Sequence, residues 1–198
     1  MSGRALTEKG YPYDNEVDWI GTNGNVYIPT DFIPNTSDLT FTGKFYFGGY
    51  TDSTQWAAWW SAYTNEQAST YRVIRSSNSN TQVRLYNGVR AGGGGTTVSA
   101  SVGDVCEFTF TPTQYVWNGT TYSHGSDGSV NTGVLQIFSQ KFIGRMIGHF
   151  RIYKGNTLIR DYMPVVKNGV GYIYENISGR LYANIGTGTV LYGSLEGE

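Results

Sequence analysis

The chain has 198 residues, a formal net charge of −1 and only 15% charged side chains, against 27 glycines and 16 tyrosines. That near-neutral balance excludes a global field drawing it to nucleic acid or an anionic membrane surface. No apolar run approaches the about 18 residues that a membrane-spanning helix needs.

Abundant Gly, Thr, Ser, Asn and Tyr, with little Leu, Ala, Glu or Lys, favour strands and tight turns over helices. One domain is expected over residues 11–193, with tails at 1–10 and 194–198, since no linker or charge run divides the chain. The first ten residues lack the apolar stretch of a secretory signal. The expectation is therefore a protein made and used without such export, or one whose leader was removed.

In chain order, residues 15–34 bring an Asn23-Gly24 turn signal between short apolar runs. Residues 39–47 put Leu39, Phe41, Phe45 and Phe47 on one face and Thr40, Thr42 and Lys44 on the other, which predicts a half-buried strand. Residues 55–63 hold the densest aromatic cluster. On a strand, Trp56 and Trp60 share one face and Trp59 and Tyr63 the other. If one face fills the core, the other is a Trp/Tyr platform suited to stacking sugar rings. Packing of both faces is the competing expectation.

From residue 67 to 103 there are four arginines (Arg72, Arg75, Arg84 and Arg90) and no acid. Val83 and Leu85 alternate with Arg84, which points Arg84 outward and, by the same pattern, Arg72. Together they predict either a basic face for an anionic glycan, phosphate or acidic partner, or simply a solvated strand face. Asn87-Gly88 reads as a hairpin turn. The glycines at 92–95 lack a following Lys-Ser/Thr, so they read as a hairpin tip or close backbone contact rather than a phosphate loop.

Cys106, Phe108 and Phe110 share one strand face. Cys106 is the only cysteine, which excludes an intrachain disulfide and predicts a buried core thiol. Trp117, beside the Asn118-Gly119 turn, is a second candidate for a binding rim, with hairpin packing as its alternative. The only histidines, His124 and His149, lie far apart in sequence. Asp127, Asn131 and backbone carbonyls would have to supply the six to eight oxygens of a Ca²⁺ site, so no metal or other cofactor is expected and a solvated loop is. Ser123, His124 and Asp127 sit on one loop, which rarely holds triad geometry.

Towards the C-terminus, Met146, Gly148, Phe150 and Ile152 oppose Arg145, His149 and Arg151 in a strand-like run. A turn at Lys154-Gly155-Asn156 leads into a second strand that Pro164 is expected to stop. Asn168-Gly169 is a further turn signal, before Gly171 to Glu175 and a Gly/Thr-rich closing segment at 184–189.

Two of these segments resemble a known family. Residues 15–34, with Val26-Tyr-Ile-Pro-Thr-Asp31, resemble the opening of concanavalin A-like (laminin-G-like) modules, although the Gly that usually follows is missing. Phe150-Arg-Ile-Tyr153, Leu158 to Pro164, Gly171-Tyr-Ile-Tyr174 and Gly186-Thr-Gly188 are similar to the family's closing signature. Family members usually carry Leu-Tyr-Asp where this chain has Ile173-Tyr174-Glu175. The matches bracket residues 13–192.

The resemblance implies an all-β, two-sheet antiparallel sandwich of the concanavalin A-like jelly-roll type. It also implies a non-catalytic, lectin-like module of the kind seen in surface proteins of gut bacteria and virion proteins of their phages. The expected role is a phage virion structural, decoration or fibre protein at the virion surface, touching glycans and other virion proteins, with self-association open. A carbohydrate-binding protein of the bacterial cell surface is the alternative. Hydrolases of the same family carry Glu-x-Asp-x-x-Glu on one strand. Asp14, Glu16 and Asp18 offer only part of it, since residues 20–22 are Ile, Gly and Thr. A retaining enzyme needs two carboxyl groups about 5–5.5 Å apart, so no enzymatic activity is expected.

Overall fold

Alternating apolar residues, punctuated by residues that accept a positive φ, favour strands almost throughout this chain. A computed structural model describes residues 10–51, 57–62, 69–75, 81–90, 95–124, 131–138 and 141–195. The described residues contain no helix. The first strands are β1 (Asn15–Glu16), β2 (Trp19–Thr22), β3 (Ile28–Pro29), β4 (Leu39–Tyr50), β5 (Ala58–Ala62) and β6 (Ser69–Arg75). There follow β7 (Gln82–Arg90), β8 (Thr96–Ser99), β9 (Val105–Phe110), β10 (Gln114–Trp117), β11 (Thr120–Ser123) and β12 (Gln136–Ile137). The last are β13 (Phe142–Ile147), β14 (Phe150–Lys154), β15 (Thr157–Lys167), β16 (Val170–Glu175), β17 (Arg180–Tyr182) and β18 (Leu191–Gly193).

They form the expected two-sheet antiparallel sandwich. The smaller sheet runs β3-β12-β5-β6-β7-β8, and the larger runs β11-β10-β9-β4-β14-β15-β16-β17. The larger sheet also branches. Strand β4 pairs with β14 through residues 39–42 and with β13 through residues 45–50. From β13 the branch continues to β2 and β18, while β1 pairs with β15. Phe41, Phe45, Phe108, Phe150 and Ile152 from the larger sheet meet Trp60, Val73, Val83 and Leu85 from the smaller one in a single apolar core. Cys106 lies within that core, and burial pushes its thiol pKa up to about 12.

Four local expectations are corrected. First, Trp59 and Trp60 do not take opposite faces. The ladder between β5 and β6 pairs Ala58 with Ile74 and Trp60 with Val73, so a bulge absorbs Trp59. A bulge breaks the alternation and turns two successive side chains the same way. Both indoles therefore enter the core: Trp59 stacks on Phe45 at 5.7 Å and Trp60 on Phe41 at 5.0 Å.

Second, Asn87-Gly88 is no hairpin turn. It lies inside β7, where Thr70 pairs with Val89 and Tyr71 with Asn87, and Gly88 is the extra residue at φ +68°. Third, the run around residues 146–152 is two strands, broken at Gly148 with φ +59°. The faces nonetheless stay in phase, with Met146, Phe150 and Ile152 buried.

Fourth, Pro164 does not end its strand, because β15 runs on to Lys167. Pro164 sits between the end of the β14 ladder at Tyr162 and the start of the β1 ladder at Val165. Its carbonyl accepts from Val17 N–H at 3.2 Å on that same side. No neighbouring strand requires the N–H that proline lacks.

Candidate functional site: a groove where the larger sheet divides

Gly148 and Pro164 face each other where the larger sheet divides, and a groove of about 280 Å³ opens there. Its apolar lining is Val17, Ile147, Met163, Pro164 and Leu195. Glu16, Asp18 and His149 supply the polar part of the lining. Backbone bonds tie the lining segments together. Gly148 N–H donates to Asp18 O at 2.8 Å, and Asp18 N–H donates to Gly193 O at 3.0 Å. The Asp18 carboxylate also accepts from Ser194 Oγ at 2.8 Å and Leu195 N–H at 2.9 Å. Glu16 accepts from the Tyr13 hydroxyl at 3.3 Å.

His149 is oriented from behind. Its Nδ1 lies 2.7 Å from Asp161 Oδ1, and a carboxylate can only accept, so Nδ1 carries the proton in that contact. Arg151 Nε donates to the same oxygen at 3.0 Å, and Asn176 Nδ2 donates to the other at 3.0 Å. Burial by itself would raise the Asp161 pKa. The hydrogen bonds from His149 and Asn176 and the charges of His149 and Arg151 outweigh it and hold the pKa at about 2. Below Asp161, the fully buried Glu175 accepts from three backbone N–H groups, of Asp161 at 2.9 Å, Ile177 at 3.1 Å and Ser178 at 2.7 Å. Glu175 thus anchors the turn behind the site.

Beside the groove, Met163, Val165, Tyr13 and Tyr174 form a second apolar cluster, with Tyr11, Tyr172 and Leu181 packed on it. These residues stand on the outer face of the larger sheet, away from the core.

The aromatic platform read from the sequence is not exposed. Trp59 and Trp60 are 0% exposed and Trp117 3%. Trp117 donates through Nε1 to Ser99 O at 3.1 Å and stacks on Trp59 at 5.4 Å. Trp56 and Tyr63 lie outside the described residues. Of the four arginines, Arg72 and Arg84 do share the outer face of the smaller sheet, where β6 and β7 pair Arg72 with Tyr86 and Ile74 with Arg84. The Arg72 guanidinium lies 4.7 Å from the Tyr86 ring centroid. Ala58, Ile74 and Tyr86 are buried on that face, so both arginines stand only half exposed beside covered apolar groups. The side chains of Arg75 and Arg90 lie outside the described residues.

Asn131 is 1% exposed and uses its side chain locally, donating to Gly133 O at 3.0 Å and accepting from Gly133 N–H at 3.2 Å. Asp127 lies outside the described residues. Among the described residues no group of three His, Cys, Asp or Glu could hold a metal. His124 is no solvated loop residue: it stacks on Tyr115 at 4.2 Å, with Nε2 3.0 Å from Thr111 O.

Sequence reasoning weighed Glu16 and Asp18 only as an incomplete catalytic pair and His149 only as a metal ligand. It did not single out Asp161, which orients His149, or Met163, which lines the groove and packs on the tyrosine cluster. The alternation of Tyr172 and Tyr174 around Ile173 was a usable signal for an aromatic outer face. Compared with known proteins, the chain matches no family model and no curated sequence.

Proposed function

We propose that the chain is a non-catalytic, lectin-like module that holds a neutral glycan in the groove at the division of the larger sheet, and that it serves as a structural or decoration protein of a phage virion. The observation that carries the binding half is the groove itself. Its lining combines apolar Val17, Ile147, Met163 and Pro164 with Glu16, Asp18 and the oriented imidazole of His149. Sugar recognition asks for that combination, with apolar surface for C–H groups and fixed acceptors for hydroxyl donors. Two carboxylates in the same lining disfavour an anionic ligand. The virion half is supported by the resemblance to concanavalin A-like modules and by a lone buried thiol, which suits assembly in a reducing cytoplasm.

Titration with a panel of neutral saccharides tests the binding half. Glu16→Gln and His149→Ala are each expected to weaken binding about tenfold, on the scale of one charge-assisted hydrogen bond, whereas Arg84→Ala leaves it unchanged. Affinity indifferent to both groove substitutions would remove the groove as the site. The placing of Glu16 and Asp18 along one groove favours a second reading, a glycoside hydrolase, and appearance of shortened saccharide in the same mixtures would select it. Mass spectrometry of purified particles tests the virion half. A chain missing from particles but present on the bacterial surface would replace it with the cell-surface alternative.

A further inference from the structure

We propose that the groove and the adjoining tyrosine cluster are two subsites of one extended site, so that the ligand is an oligosaccharide rather than a single sugar. This rests on the groove being a glycan site. Met163 joins the two regions, since it lines the groove and packs with Tyr13, Val165 and Tyr174 in the outer cluster. The ladder between β15 and β16 sets Tyr174 opposite Met163 and Tyr172 opposite Val165. Both rings therefore stand on the sheet's outer face, on the strand next to β15, whose Met163 lines the groove.

The chain before β1 adds two more rings. Tyr13 lies 4.8 Å from Tyr174 and Tyr11 lies 6.1 Å from it, nearly perpendicular at 89°. Tyr13 and Tyr174 are each 6% exposed and hold the half-exposed Tyr11 and Tyr172 in place. The hydroxyl of Tyr13 bonds Glu16, which ties this platform to the groove's polar lining.

Geometry narrows the chemistry. Rings at 4.8 to 6.1 Å are already in mutual contact, so they enclose no cage for a cationic head group. The half-exposed Tyr11 and Tyr172 leave aromatic surface open to solvent, of the kind on which the C–H side of a pyranose stacks. The seven residues of the cluster are all Tyr, Met, Val or Leu, without a charge of their own. A sulfated or sialylated extension would gain no ion pair from them.

NMR titration of the full chain with cello-, malto- and chito-oligosaccharides of one to five units tests this, because it registers millimolar affinities. In the series that binds, affinity is expected to rise roughly three- to tenfold from monosaccharide to trisaccharide, the scale of one added aromatic stack. Tyr172→Ala is expected to abolish the rise while leaving monosaccharide affinity unchanged, and Tyr172→Phe to keep it, since stacking uses the ring and not the hydroxyl. Glu16→Gln should weaken every length alike. A length-independent affinity, or a rise that survives both Tyr172→Ala and Tyr11→Ala, overturns the second subsite and leaves the groove standing. Absence of any shift with every saccharide overturns the groove reading and this inference together.

Discussion

Asp161 is the residue that orients His149 at the groove. It is 8% exposed, accepts from His149, Arg151 and Asn176, and its own N–H is taken by the buried Glu175. A carboxyl whose folded pKa is depressed contributes stability above its unfolded pKa, and loses it as pH falls through the folded value. With 3.8 as the reference and about 2 in the fold, that window lies between about pH 4 and pH 2. The shift corresponds to on the order of 2 kcal/mol. Urea unfolding measured across that window should show the wild type losing this increment, and Asp161→Asn lacking both the increment at neutral pH and its loss in acid. Parallel profiles for the two proteins would contradict the assignment. Asn184 has a similar clasping role at another corner. It accepts from Tyr27 N–H at 3.0 Å and Gly186 N–H at 2.8 Å and donates to Gly188 O at 2.7 Å, joining the closing segment to the opening one.

At the scale of elements, small departures from ideal strands decide which side chains are available. The bulge in β5 puts both tryptophans in the core, where strict alternation would have left one of them outside. Pro164 and Gly148 divide one sheet into two branches and so create the groove. Close packing in the β13 branch depends on glycine. A Cβ on Gly144 would meet Tyr46 O at 2.3 Å and the Phe142 ring at 2.4 Å, beside a register shift between Ile143 and Gly144. Gly144→Ala is accordingly expected to cost roughly 1–3 kcal/mol, the usual range for forcing extra volume into packed structure. Chemical denaturation reads this directly, and an unchanged midpoint would show that the branch can separate to admit a methyl group.

For the whole molecule, stability comes from one core shared by both sheets, with aromatic rings from β4, β5, β9, β10 and β14 in mutual contact between them. Cys106 reports on that core, because its thiolate is disfavoured by burial and its sulfur has no exposure. Native protein should therefore resist a thiol-reactive disulfide reagent at pH 8 and react fully only in denaturant, and rapid native labelling would mean that the sandwich opens. The outer face of the larger sheet, by contrast, carries the groove and the tyrosine cluster. The sandwich was an expectation of the family resemblance; what the amino-acid sequence by itself determined is the strand content and the buried face of β4 and β9. Those follow from period-two alternation, which is local and repeats many times. Legibility failed where one residue changed the phase: at Trp59, at Gly88, and at the proline expected to end β15. A bulge depends on how two strands pair, and a proline's effect depends on whether a neighbour needs its missing N–H. The site was illegible for the same reason. Glu16, His149, Met163 and Leu195 come from four separate stretches of chain, and only the division of the larger sheet brings them to one groove.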